Sequence, residues 1–231
     1  ITAATYELTE VKRQALESGI LYNATDIRQL LSQNLYEYEL PLFHLQGFDD
    51  IQKIEPETFE EMLHNAFANM SDNEAVIICK SNKRANLFNQ AIRGRILNIE
   101  GEIATGDKLM VVKNNYYWTE GNPDINFIAN GDMAEIRKIK HFDEMYGFRF
   151  ADVELSFIDY PDAPNLEAKI LLDTLNSNSP SLTEDENKRL FAAIEEDYMD
   201  IPNRKERYKE MKKNPWFNAL QVKFAYALTC H

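Results

Sequence analysis

At about Gly106 the hydrophobic period of the chain changes, and that change restricts it to a composite architecture. Before Gly106, helical and strand-like stretches alternate. "SGILYNATDIRQLLSQN" places Ile20, Leu21, Ala24, Ile27, Leu30 and Leu31 on one helical face behind a Ser18 N-cap. "PETFEEMLHNAFANM" does the same with Phe59, Met62, Leu63, Ala66, Phe67 and Met70. "EAVIIC" is a continuous apolar run of the kind a strand buried on both faces requires, and "KSNKRANLFNQAIRGRI" then repeats Phe88, Ala91, Ile92 and Ile96 helically. Strand, short polar loop and helix make an α/β unit. After Gly106, "GDKLMVVKN", "DMAEIRKIK", "GFRFADVELSF" and "LEAKILL" are short strand patterns separated by "EGNPD", the pair Asn130-Gly131 and "DYPDAP", which predicts a small β-barrel. A capping box from Thr183 to Glu186 opens a helix, and a charged second helix, "NRKERYKEMKK", ends at Asn214-Pro215. The apolar strand "LQVKFAYAL" then returns with the character of the earlier α/β core. The expected architecture is α/β with an inserted barrel.

With 231 residues, 44% of them hydrophobic, the chain is long enough for one full core or two domains. No apolar run approaches the roughly 20 residues of a membrane-spanning helix. Cys79 and Cys230 each end an apolar run and read as buried free thiols, which predicts a reducing, cytoplasmic compartment. The net charge of -13 argues against a nucleic-acid partner only if it is evenly spread. It is not: residues 143–200 hold fifteen Asp and Glu against four Lys and Arg, a balance of -11. From Lys80 to Lys113, seven basic residues face three acidic ones, a balance of +4 that suits a polyanion.

Three places in the pattern have chemistry to offer. In open parallel sheets ligands bind beyond the carboxyl ends of the strands, where the next helix presents unpaired N–H groups. "KSNKR" stands there, with Ser81, Asn82, Lys83 and Arg84 after Lys80: a hydroxyl, an amide and three cations suited to phosphates. In the alternative reading Ser81 or Asn82 caps the helix and Lys83 and Arg84 form a solvated face. Arg13 in "LTEVKRQ" is either a surface charge or a guanidinium of the sort that a nucleotide γ-phosphate recruits. Thr229 and His231 end the returning strand, where they contact phosphate or serve the structure. Tyr116, Tyr117 and Trp118 in "NNYYW" suit base stacking but fit a barrel core or rim better, and the basic helix reads as solvated surface. His44, His64 and His141 are scattered, so no metal site is expected. No G-x-x-x-x-G-K-[ST] loop is present, so the chain alone is not expected to hydrolyse ATP.

Taken in order, "YELTEVKRQALESGILYNATDIR", "VIICKSNKRANLFNQAIR", "GDKLMVVKNNYYW" with "FIANGDMAEI", and "ALQVKFAYALTCH" resemble the carboxyl-terminal half of RecD-like superfamily 1B DNA helicases, the group of Dda and the conjugative relaxase helicases. In that family the last segment continues into Lys-Ser/Ala-Gln-Gly directly after the histidine, so the resemblance implies that the chain stops inside a helicase motif. It implies a second RecA-like domain begun by residues 1–103, an inserted Src-homology-3-like barrel at 104–180, a helical charged insertion at 181–216 and a RecA-like return strand at 217–231. Arg13 matches the arginine that reaches the ATP γ-phosphate. Thr229 and His231 match the start of a motif contacting single-stranded DNA, and Ser81, Asn82, Lys83 and Arg84 match a segment near the DNA path. Residues from about Asp143 to Lys213 match only loosely.

The implied parent is an ATP-dependent helicase translocating on single-stranded DNA and acting at duplex junctions. Its ATP and Mg2+ would sit against a first RecA-like domain that this chain does not contain, and the magnesium ligands are not in this chain. No membrane partner is implied. On the residues alone, a non-catalytic single-strand-binding module and a protein-interaction module, whose barrel grips a peptide and whose acidic stretch recruits a basic partner, remain open.

Overall fold

The computed structural model describes residues 18–33, 41–68 and 75–229. Arg13 and His231 therefore lie outside the described residues. The fold is mixed α/β, with a closed five-stranded barrel and a small parallel sheet. The described residues up to Met62 belong to one compact unit, and those from Leu63 onward to a second.

In the first unit, α1 (Gly19–Ser32) begins where the sequence predicts it. The Ser18 hydroxyl oxygen accepts the Leu21 N–H at 3.2 Å, and the same hydroxyl donates to Asp50 at 2.6 Å. Asp50 also accepts the Gly19 N–H at 2.8 Å, and these bonds, that of Ser18 first, hold its carboxyl below the usual range. Asn23 exchanges hydrogen bonds with both backbone groups of His44, tying the segment after Pro41 to the helix. The apolar face expected of α1 is not its buried face. Gly19 and Asn23 are buried, whereas Ile20, Ala24 and Leu31 are exposed, because close backbone approach and carboxamide bonding decide the contact here. The second helix, α2 (Phe59–Ala68), buries Phe67 in the core of the second unit, with Leu63 packed against it.

The second unit opens with β1 (Ile77–Cys79), which leads into α3 (Asn82–Ala91) and a π-helical turn, Ile92–Ile96. The strands β2 (Lys108–Val111), β3 (Met133–Met145), β4 (Phe148–Phe157) and β5 (Leu166–Leu171) follow, at the positions that their alternation predicts. Val153, Leu155 and Phe157 point inward on β4, between partly exposed Glu154 and Ser156. Tyr146 and Gly147, both at positive φ, make the tight turn between β3 and β4. Two helices, α4 (Glu184–Glu196) and α5 (Arg204–Met211), pack on that hairpin through Leu190, Ile194 and Met211. The capping box of α4 forms as read from the sequence.

The last apolar run divides into two strands. β6 (Leu220–Phe224) closes the barrel between β2 and β5, so the fifth barrel strand comes from the segment expected to be wholly a return strand. After Ala225 and Tyr226 the chain continues as β7 (Ala227–Thr229), parallel to β1. The expectation that "EAVIIC" is buried on both faces is not met. α3 covers one face of the two-stranded sheet through Ala85 and Phe88, and Ile78 is 57% exposed.

Two buried polar groups join sheet to barrel. Asn89 on α3 donates to the carbonyls of Phe224 and Ala227 and accepts the Ala227 N–H, so one side chain satisfies the backbone where β6 bends into β7. Arg93 on the π-helical turn makes paired hydrogen bonds of 2.8 and 2.9 Å to Asp107 at the entrance to β2 and lies 4.2 Å over the Phe224 ring.

Candidate nucleic-acid interface

The carboxyl ends of β1 and β7 lie side by side, with Cys79 opposite Thr229. Backbone direction at Lys80 and Ser81 changes from strand to helix, and the Ser81 hydroxyl accepts the Arg84 N–H as the N-cap of α3. The Thr229 hydroxyl donates to Asn82 Oδ1 at 2.6 Å. This bond spans 147 residues of sequence and fixes the first residue of α3 against the end of β7. Thr229, singled out separately in the sequence, thus joins the motif of Ser81, Asn82, Lys83 and Arg84 in one cluster.

Its outer rim is cationic. Lys80, Lys83 and Arg84 are exposed, and among the described residues no carboxylate pairs with any of them. Beneath the rim, burial pushes the Cys79 thiol above its ordinary pKa, an effect that the positive charge of Arg84 partly offsets. Cys79 is a buried free thiol, as its position in the sequence predicts; Cys230 lies outside the described residues. The N-terminus of α3, three exposed cations and the Asn82 amide together suit an anionic oxygen ligand without base selectivity. The cap predicted for Ser81 and the cationic rim coexist, because the cap uses the serine hydroxyl and leaves the long basic side chains in solvent.

The acidic stretch of the sequence is partly neutralised within the barrel. Lys140 lies between Glu154 and Glu167, Lys169 between Asp143 and Asp152, and Arg149 between Glu102 and Asp173. What the sequence did not show is the long-range link from Asn82 to Thr229. Among the described residues no cluster of three His, Cys, Asp or Glu side chains is placed to hold a metal ion, and no helix is long and apolar enough to cross a membrane. No family model matches the chain, and no curated protein does either.

Proposed function

We propose that this chain is the carboxyl-terminal part of an ATP-dependent DNA helicase of the RecD-like superfamily 1B type, with a second RecA-like domain carrying a Src-homology-3-like barrel. The observation that carries this reading is the path of the chain: it leaves the parallel sheet after α3, builds the barrel, and returns as β7 beside β1. The cationic rim then lies at the carboxyl ends of parallel strands, where α/β proteins bind ligands.

On this reading Ser81, Asn82, Lys83, Arg84 and Thr229, with His231 beyond them, grip the phosphates of single-stranded DNA. Arg13 reaches the γ-phosphate of an ATP held mainly by the absent first domain. ATP and Mg2+ supply the driving reaction of the intact parent, and this chain alone is inactive. The arginine neutralises charge as the phosphoryl group is transferred, and cleft closure moves the DNA grip of this domain.

DNA-stimulated ATP hydrolysis by the full-length parent, compared with its Arg13→Ala variant, tests the reading. Turnover is expected to fall on the order of 10³-fold in the variant while DNA binding survives. Absence of turnover in the unaltered parent, together with salt-sensitive strand binding, would support a non-catalytic single-strand-binding module instead. Neutralising Lys83 and Arg84 is expected to lower the salt dependence of binding.

A further inference from the structure

A cleft of about 540 Å³ opens between the loop after β2 and the segment joining α5 to β6. Its walls are held in place by hydrogen bonds: the Tyr117 hydroxyl donates to the Lys213 carbonyl at 3.0 Å, and Trp118 Nε1 and Asn115 Nδ2 both donate to the Asn218 carbonyl at 2.8 Å. Two of the three aromatic residues in "NNYYW" are thereby used in the structure. Tyr116 is not: it lines the cleft, 65% exposed, with its ring stacked on Phe127 at 5.3 Å and 20°. An exposed ring supported on one side is a platform for another flat π-system.

The cleft is bordered by Lys113 and Lys212 against a single carboxylate, Glu120. At Phe191 it meets a second hollow, of about 460 Å³, bordered by Tyr208, Arg204 and Lys205. The only carboxylate there, Glu195, is 3.0 Å from Arg207 and so already compensated. Among the described residues no carboxylate forms an ion pair with Lys113, Lys212, Arg204 or Lys205. Lys212 Nζ lies 4.9 Å over the Tyr208 ring. Rings and cations without carboxylate partners thus line two adjoining hollows, a combination that suits single-stranded nucleic acid: stacking surfaces for bases and positive charge for the backbone.

We propose that these hollows form a second single-strand-binding surface, with a base stacked on Tyr116 and phosphates meeting Lys113, Lys212, Lys205 and Arg204. The inference rests on the proposed function for its choice of ligand, and does not require the motor.

The test is fluorescence anisotropy of a fluorescein-labelled oligodeoxythymidylate titrated with the full chain over a range of salt. Tyr116→Ala is expected to weaken binding roughly tenfold, within the range known for loss of one stacked base, and Tyr116→Trp to restore it. Lys113→Gln with Lys212→Gln is expected to reduce the slope of log affinity against log salt by about 1.4, two phosphate contacts on a single strand. If the cleft variants bind like the unaltered chain while Lys83→Gln with Arg84→Gln binds weakly, this inference is overturned and the proposed function survives. If the unaltered chain does not bind the oligonucleotide, the nucleic-acid reading itself is lost. Tyr116-dependent binding of an acidic peptide, without any oligonucleotide response, would assign the cleft to a protein partner and overturn the inference.

Discussion

Asn89 holds Ala227 by both ends of its carboxamide: Oδ1 accepts the Ala227 N–H at 2.7 Å, and Nδ2 donates to the Ala227 carbonyl at 3.0 Å. The same Nδ2 reaches the Phe224 carbonyl at 3.1 Å, so the side chain spans the bend between barrel and sheet. Asn89→Ala leaves these buried groups without that partner and is expected to cost about 2–3 kcal/mol. Asn89→Asp is expected to cost more, since a carboxylate sets acceptor against acceptor at two carbonyls. Urea denaturation of both variants checks the order, and equal losses would remove the donor from the account.

Asp107 is fully buried and accepts from Arg93 Nε and Nη2, the Ala104 N–H and the Tyr226 hydroxyl. Burial, with the Asp107 charge acting in the same direction, raises the pKa of that tyrosine, so it stays a donor at any ordinary pH. Asp107→Ala strands a permanently charged guanidinium and is expected to cost about 3–5 kcal/mol. Arg93→Met is expected to cost less, because the Asp107 carboxyl keeps two neutral donors, the Ala104 N–H and the Tyr226 hydroxyl. The urea midpoints of the two variants decide the matter.

Lys223 projects from β6 into a nearly sealed site and donates to the Ser177 carbonyl, which also accepts from Asn86 at 2.9 Å. Burial lowers its pKa from 10.5 to about 8. Below pH 8 the folded and unfolded chains both carry the proton, and the folded state bears the full desolvation cost. Between about 8 and 10.5 only the unfolded chain stays protonated, so this group makes stability rise with pH across that window. Lys223→Met is expected to be more stable than the unaltered chain at neutral pH by roughly 1–3 kcal/mol. Its advantage is expected to shrink toward pH 10 or so, which paired urea titrations at the two pH values would show.

Ser81 and its basic neighbours separate stability from binding. Ser81→Ala removes the cap of α3 and is expected to cost about 1 kcal/mol. Lys83→Gln with Arg84→Gln is expected to leave the thermal midpoint unchanged and to flatten the salt dependence of oligonucleotide binding. An unchanged salt slope would return both cations to the role of a solvated face.

Gly19 is a helix start that tolerates no side chain. A Cβ there would lie 2.6 Å from Phe48 Cγ and 2.9 Å from the Asp50 carboxylate. Gly19→Ala, which elsewhere in a helix gains about 1 kcal/mol, is therefore expected to lower stability in a thermal melt.

The sequence by itself determined the features whose cause lies within a few residues. The Ser18 and Ser81 caps, the capping box of Thr183 and Glu186, and the alternation along β4 all act over one turn or one pleat, and all are present. Tertiary structure decided what depends on distant partners. "LQVKFAYAL" is apolar without a break from Phe224 to Leu228, with no turn residue across the bend, and so does not mark where barrel ends and sheet begins; Asn89, 138 residues before Ala227, supplies the hydrogen bonds at that bend. The same holds for the candidate site. Ser81 to Arg84 are contiguous and were visible as a motif, but Thr229 joins them only when β7 folds beside β1, since strand pairing and one hydroxyl bond bring them together.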